Sequence, residues 1–168
     1  MSASNDETVS FLPEDHFRAR VQRRFAQLRG ELQAAIPGAQ IEHVGSTAIT
    51  GALTKGDLDV QVRVPASAYS AAKDRLCELY DVNAGGFSGS DAISFEDYSG
   101  EPHVGIHLTV VGGSGDVQSR FRDLLLASES LRQDYDDLKR QFEGKSMAKY
   151  REAKETFVTR VLDGNATA

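Results

Sequence analysis

Ile41-Glu42-His43-Val44-Gly45-Ser46-Thr47 and, ten residues after Thr47, Asp57-Leu58-Asp59-Val60-Gln61-Val62-Arg63-Val64 are the stretches whose reading decides the fold. The first reads as a short apolar strand over about 40–44, broken at a Gly-Ser turn that leads into a helical piece around 46–53. The second reads as a strand over about 57–64. Side chains two apart on a strand point the same way. Asp57, Asp59, Gln61 and Arg63 therefore share one face, and Leu58, Val60, Val62 and Val64 the other. The aliphatic face calls for a core. Opposite it, two like charges side by side are destabilising unless a cation or cationic group compensates them. Mg²⁺ (or Mn²⁺) is the candidate, because it takes one or two carboxylates together with phosphate oxygens and water. A solvated edge strand is the plain alternative.

Working outward, Pro13-Glu14-Asp15 opens a helix with an acidic first turn, suited to the positive end of the dipole. Phe17, Val21, Phe25, Leu28, Leu32 and Ile36 recur at helical spacing until Pro37-Gly38. The intervening arginines read as solvated. Pro65-Ala66-Ser67 starts a second helix with Tyr69, Ala72, Leu76 and Leu79 inward. Ala92 to Tyr98 and His103 to Val111 read as a hairpin across Ser99-Gly100-Glu101-Pro102. Residues 116–163 are helical in composition, with Gly144 as punctuation. The expectation is one α+β domain over 13–163: a small mixed sheet backed by helices, with a helical C-terminal part. Residues 1–12, polar and acidic, read as disordered, and 164–168 as a flexible tail.

Composition narrows the function classes. The 168 residues carry 40% hydrophobic and 26% charged side chains, an ordinary globular balance for one domain. No apolar run nears the roughly 18 residues that span a bilayer. The N-terminus shows no secretory pattern, so the cytoplasm is the expected compartment. Lone Cys77 lies in a helical pattern and reads as core filler. A net charge of −6 argues against extended nucleic acid as a partner. Six basic residues between Lys139 and Lys154 suit a small polyanion, or simply a solvated helix face.

A Gly-Ser turn followed by an Asp-x-Asp strand resembles the signature of the nucleotidyltransferase superfamily related to DNA polymerase β. More narrowly, Glu42-His43-Val44-Gly45-Ser46-Thr47-Ala48 resembles the GrpB family, and later blocks agree: His107-Leu108-Thr109-Val110-Val111, Phe121 to Leu125, Tyr135 to Lys139, and Tyr150 to Lys154 with Phe157. The likeness spans roughly residues 14–162. Many GrpB-like chains have an aliphatic residue where this one has Asp57, and often a second histidine where it has Thr109.

The resemblance implies a Gly-Ser turn that holds a triphosphate and two aspartates, Asp57 and Asp59, that hold Mg²⁺ for transfer of a nucleoside monophosphate from an NTP. The residue chemistry agrees. Glycine lets backbone approach a phosphate, and Gly45, Ser46 and Thr47 supply amide and hydroxyl donors at a helix start. Lys55, Arg122 and Lys154 are candidate phosphate contacts. Active superfamily members usually carry a third carboxylate on a neighbouring strand. Here His107 stands where it is expected and is the candidate general base, while Glu96 and Asp97 are possible substitutes. The acceptor hydroxyl, the base preference and the oligomeric state are not legible. Two other functions compete: a catalytically silent nucleotide-binding module, and a partner-binding domain.

Overall fold

Leu58–Val64 (β4) lies inside a five-stranded sheet, not at its rim. The computed structural model describes residues 7–165. Its strand order is β2 (Gln40–Val44), β4, β7 (Val104–Val110), β6 (Ala92–Asp97), β5 (Asp81–Val82). β4 and β7 run parallel; the other neighbours are antiparallel. Two strands of two residues, β1 (Leu12–Pro13) and β3 (Leu53–Thr54), pair separately. The α+β architecture with a small mixed sheet is as expected.

One sheet face carries the core. Leu58, Val60, Val62 and Val64 meet Val104, Ile106 and Leu108 there, beneath α1 (Arg18–Ala35) and α2 (Tyr69–Leu79). Val21, Leu28 and Leu32 supply the stripe of α1, and Tyr69, Ala72 and Leu76 that of α2. Burying a side chain of this kind contributes about 1.5–3 kcal/mol, so this face dominates the stability. α1 starts later than the sequence predicts: Glu14–His16 form a single 3₁₀ turn before it. Arg18 ties that turn down with two hydrogen bonds, of 2.9 and 2.6 Å, to the Glu14 carboxylate.

The opposite face is polar yet covered. Gln61 is fully buried, so the solvated-edge alternative does not describe this strand. Its amide donates to Thr109 Oγ1 (3.0 Å) and Asp116 Oδ1 (2.9 Å), and its carbonyl accepts from Ser119 N (3.0 Å). Arg63 grips Asp116 with two bonds of 2.7 Å. These contacts fix the start of α3 (Gln118–Ala127) against the sheet. α4 (Glu129–Phe142) and α5 (Met147–Gly164) follow, capped by the hydroxyls of Ser128 and Ser146. Ile49, Ala52, Leu125, Tyr135, Phe157 and Val161 form a second core between these helices and the segment after the Gly-Ser turn. A cleft remains between the sheet and this helical part.

Four expectations are corrected. Residues 7–12 are packed: Val9 and Phe11 are buried with Met147 and Tyr150, and the Val9 amide donates to the Lys145 carbonyl at 2.9 Å. A single extended segment clamped onto a loop has no periodicity to betray it. Residues 1–6 and 166–168 lie outside the described residues, and α5 runs to Gly164. Cys77 is exposed, and Leu79 is too, because α2 turns only the Tyr69–Ala72–Leu76 stripe inward. Among the described residues, no helix is long and apolar enough to cross a membrane.

Candidate functional site

Asp59 is the centre of the site because three strands converge on it. It stands opposite Val44 on β2 and Gly105 on β7, flanked by two glycines. Gly45 ends β2 with φ at 75°, a region that L side chains avoid, and the Asp59 carboxylate fills the space a Cβ at position 45 would need. A Cβ at position 105 would stand 2.8 Å from Asp59 Oδ1, closer than packing allows. The carboxylate is thus seated between two bare backbones.

His107 lies two residues beyond Gly105 on the same side. Its Nε2 is 3.3 Å from Asp59 Oδ1, and its Nδ1 is 3.0 Å from the hydroxyl of buried Ser94. Both ring nitrogens therefore have partners, and the imidazole is oriented toward Asp59. Burial pushes the Asp59 pKa upward, but the hydrogen bond and charge of His107, then the charges of Lys154 and Lys55, outweigh it and hold it at about 2. Asp59 is an anion at neutral pH.

Asp57 sits just before β4, with Lys55 Nζ at 2.9 Å and His103 Nδ1 at 4.0 Å. Asp57 and Asp59, with side chains 34% and 32% exposed, border one small cavity of about 30 Å³ with Ser46, Lys55 and Lys154. Phe11, Thr54 and Tyr150 complete its lining. A larger cavity of about 280 Å³ shares the walls Ser46, Asp59 and Lys154. Val44, Ile49, Val117, Phe121 and Val158 give it an apolar side; His107, Gln118, Arg122 and Tyr135 add polar groups.

Lys154 links the C-terminal helices to the carboxylates. The charge of Tyr135, then those of Asp59 and Asp57, raise its pKa against the effect of burial, so it is a firm cation. Tyr135 lines the larger cavity together with Ser46 and Lys154. Burial opposes its ionisation, yet the charges of Lys154 and Lys139 bring its pKa below that of an ordinary phenol.

The structure thus gathers Gly45, Ser46, Lys55, Asp57, Asp59, His107 and Lys154. Arg122 lines the larger cavity, but its guanidinium is bound to the His43 carbonyl, Glu42 and Asp123 at 2.8 Å each. Thr47 is a correction. It is buried, its hydroxyl donates to the Asp57 carbonyl at 2.9 Å and contacts His43 Nε2 at 3.0 Å, and so its side chain ties the turn to β4 instead of facing the cavity. Lys139 is another: fully buried, it donates to the Leu53 carbonyl and to Asp136, and faces no cavity. Arg120 reaches the Leu162 carbonyl. Neither substitute carboxylate joins the pair. Asp97 is bonded to Arg24. Glu96 stands beyond Gly105, two strands from Asp59 and so about 10 Å away across the sheet. Tyr135, Gln118 and Ser94 were missed as site residues. Tyr135 lay in a quoted block, and Ser94 pairs with His107 in hairpin register, so both had a signal.

The donor set fits a divalent cation of one kind. No group of three His, Cys, Asp or Glu among the described residues closes round one point. Two partly exposed carboxylates facing one cavity suit an ion that brings phosphate oxygens and water as its other ligands. Asp57 and Asp59 are the residues that would hold it.

A family model described as GrpB protein matches residues 15–164. The UPF0157 protein VC_A0354 of Vibrio cholerae serotype O1 is 30% identical over 157 residues, 93% of this chain and 83% of that protein. The crystal structure of the conserved protein GrpB from Enterococcus faecalis superposes with a TM-score of 0.71 at 16% identity, over 92% of this chain and 95% of its own. Cid1, a protein with RNA terminal uridylyl transferase activity, superposes with a TM-score of 0.47 at 16% identity, over 74% of this chain and 39% of its own.

Proposed function

The chain belongs to the GrpB family, and from its cleft we propose that it binds a nucleoside triphosphate with Mg²⁺ or Mn²⁺ and transfers the nucleoside monophosphate to a hydroxyl acceptor. One observation carries this reading: two carboxylates, a turn hydroxyl and two lysines face a single small cavity that adjoins a larger, partly apolar one. The small charged cavity has room for a cation, the lysines beside it suit the phosphates, and the wall of Val44, Ile49 and Phe121 suits a base and ribose.

In this reading Asp57 and Asp59 would hold the cation, which would supply charge neutralisation for the phosphates and a Lewis acid for the reacting oxygens. Ser46 and the backbone at Gly45 contact the phosphates, with Lys55 and Lys154 matching their charge. The acceptor oxygen bonds to the α-phosphorus, the bond from that phosphorus to the bridging oxygen breaks, and pyrophosphate leaves. The acceptor proton passes to water, since both nitrogens of His107 are engaged. Arg122 holds the Glu42–His43 end of β2 and so positions the turn.

Among the described residues no third carboxylate joins Asp57 and Asp59, which favours one alternative, a nucleotide-binding module without turnover. A single experiment separates the two. The four NTPs are titrated with Mg²⁺ and with Mn²⁺ while pyrophosphate release is followed, for the wild type, Asp57→Asn and Asp59→Asn. Transfer predicts metal-linked binding and pyrophosphate release with a hydroxyl acceptor, both lost in the variants. Binding alone selects the silent module. A folded protein with no metal-linked binding of any NTP would sink both.

A further inference from the structure

We infer that His107 Nε2 is a direct ligand of the cation held at Asp59, so that this cleft prefers a first-row transition ion such as Mn²⁺ to Mg²⁺. The inference rests on the reading of the cleft as a cation–nucleotide site and goes beyond it by assigning a ligand and a metal preference.

Three features of the structure lead there. First, Nε2 and Asp59 Oδ1 are 3.3 Å apart. Two ligands on adjacent corners of an octahedral ion, each about 2.1 Å from it, stand about 3 Å from one another. The pair needs almost no rearrangement to share one ion. Second, Gly105 keeps the approach to both atoms open. A Cβ there would lie 2.8 Å from Asp59 Oδ1 and 3.5 Å from His107 Nε2, so any larger residue would fill the space between the two donors. The glycine is not needed for its own backbone conformation, since it has no positive φ. Third, Ser94 Oγ at 3.0 Å from Nδ1 orients the ring from inside the sheet, with Ser94 only 3% exposed. Metal-bound histidines characteristically donate their second nitrogen to such an oxygen, which fixes the tautomer and turns the bare nitrogen to the ion. With an ion bound, the proton would reside on Nδ1, donated to Ser94, and Nε2, which bonds to Asp59 in the ion's absence, would turn its lone pair to the ion.

The chemistry of the donor sets the preference. Mg²⁺ demands oxygen ligands, whereas an imidazole nitrogen is a better ligand for transition ions. The strand position that would complete an all-carboxylate site holds nitrogen instead. Asp57 borders the same small cavity as Asp59 and would add an oxygen donor beside the pair.

The test uses the full chain, Mn²⁺ or Mg²⁺, and the α,β-methylene analogues of ATP, UTP, CTP and GTP, which cannot be turned over. Affinities are measured by calorimetry, and the Mn²⁺ complex is probed by pulsed electron paramagnetic resonance for coupling to imidazole ¹⁴N. The wild type should favour Mn²⁺ over Mg²⁺ by about tenfold or more and show the nitrogen coupling. His107→Asp, which restores an oxygen donor, should lose the coupling and most of the preference. Ser94→Ala should keep the coupling but weaken Mn²⁺ binding by roughly 10–100-fold. Thermal melts of each variant identify any that fail to fold, and the wild-type spectrum stands without them. Metal-linked analogue binding without nitrogen coupling would overturn the assignment while leaving the proposed function intact. If no analogue binds with either ion, both readings fall together.

Discussion

The carboxylate of Asp59 occupies the space into which a side chain at Gly45 would project, so the two residues are specified as a pair. Gly45→Ala therefore carries two penalties: a left-handed backbone for a residue with a Cβ, and a collision with the site's central anion. A loss of about 1–3 kcal/mol in unfolding free energy follows from the backbone alone. Cation-linked nucleotide binding should disappear as Asp59 is displaced. Urea denaturation and calorimetry on the same variant check both. A Gly45→Ala protein of wild-type stability would show that the turn is not the tight junction described.

The depressed pKa of Asp59 links the site to acid stability. Its ordinary value is 3.8 and its folded value about 2, so its contribution is complete above pH ~4 and is lost as pH falls toward 2. Glu14, Asp97 and Asp116 are also lowered, so the wild type weakens with acid through several groups. The share belonging to Asp59 is read by difference. Between pH 5 and pH 2.5, Asp59→Asn should lose less stability than the wild type by on the order of 1 kcal/mol, a figure discounted because the carboxylate is a third exposed. Parallel denaturation curves at the two pH values would contradict the His107–Asp59 and Lys154–Asp59 couplings.

Much of this arrangement was legible before any coordinates. Alternation on β4 put Asp59, Gln61 and Arg63 on one face, and the Gly-Ser turn marked where a backbone had to come close. Strand and helix patterns gave the core because burial imposes a period that sequence displays. What stayed hidden depended on partners far away in the chain. Asp136 is one turn from Lys139 on the same helix, but nothing local says that Lys139 is fully buried, because the carbonyl it satisfies belongs to Leu53, 86 residues away. Thr47 looked like a phosphate donor until the Asp57 carbonyl claimed its hydroxyl. Val9 and Phe11 have no periodic neighbours, and the loop after α4 together with Met147 and Tyr150 of α5 gives them a place to pack.

Asp136 and Lys139 form a clip on β3. Asp136 Oδ1 accepts the Leu53 amide at 2.9 Å, while Lys139 donates to the Leu53 carbonyl and lies 3.2 Å from Asp136 Oδ1. Burial lowers the Lys139 pKa, and the charges of Tyr135 and Asp136 work against it. Removing one partner leaves the other buried and unpaired, which costs about 3–5 kcal/mol. Lys139→Met and Asp136→Leu should each destabilise on that scale in chemical denaturation. The double variant should cost clearly less than the sum. Additive losses would mean that the two side chains act independently on Leu53.

Lys154 and Lys149 offer a comparison on one helix. Lys154 faces Asp59 and the Ser46 turn, whereas Lys149 is exposed at the start of α5. If the lysine charge meets a triphosphate, Lys154→Met should weaken NTP binding by the ~1.5–3 kcal/mol of a charge-assisted hydrogen bond, a factor of roughly 10–100. The salt dependence of binding should flatten with it, since one phosphate-facing charge is gone. Lys149→Met should leave both unchanged. Lys154→Met also removes a cation beside Asp59, so the acid midpoint attributed to that carboxylate should move upward toward its ordinary value. Calorimetry at two salt concentrations and an acid titration of the same protein read these effects separately. Equal binding losses in both lysine variants would place the polyanion on the exposed helix surface, outside the cleft.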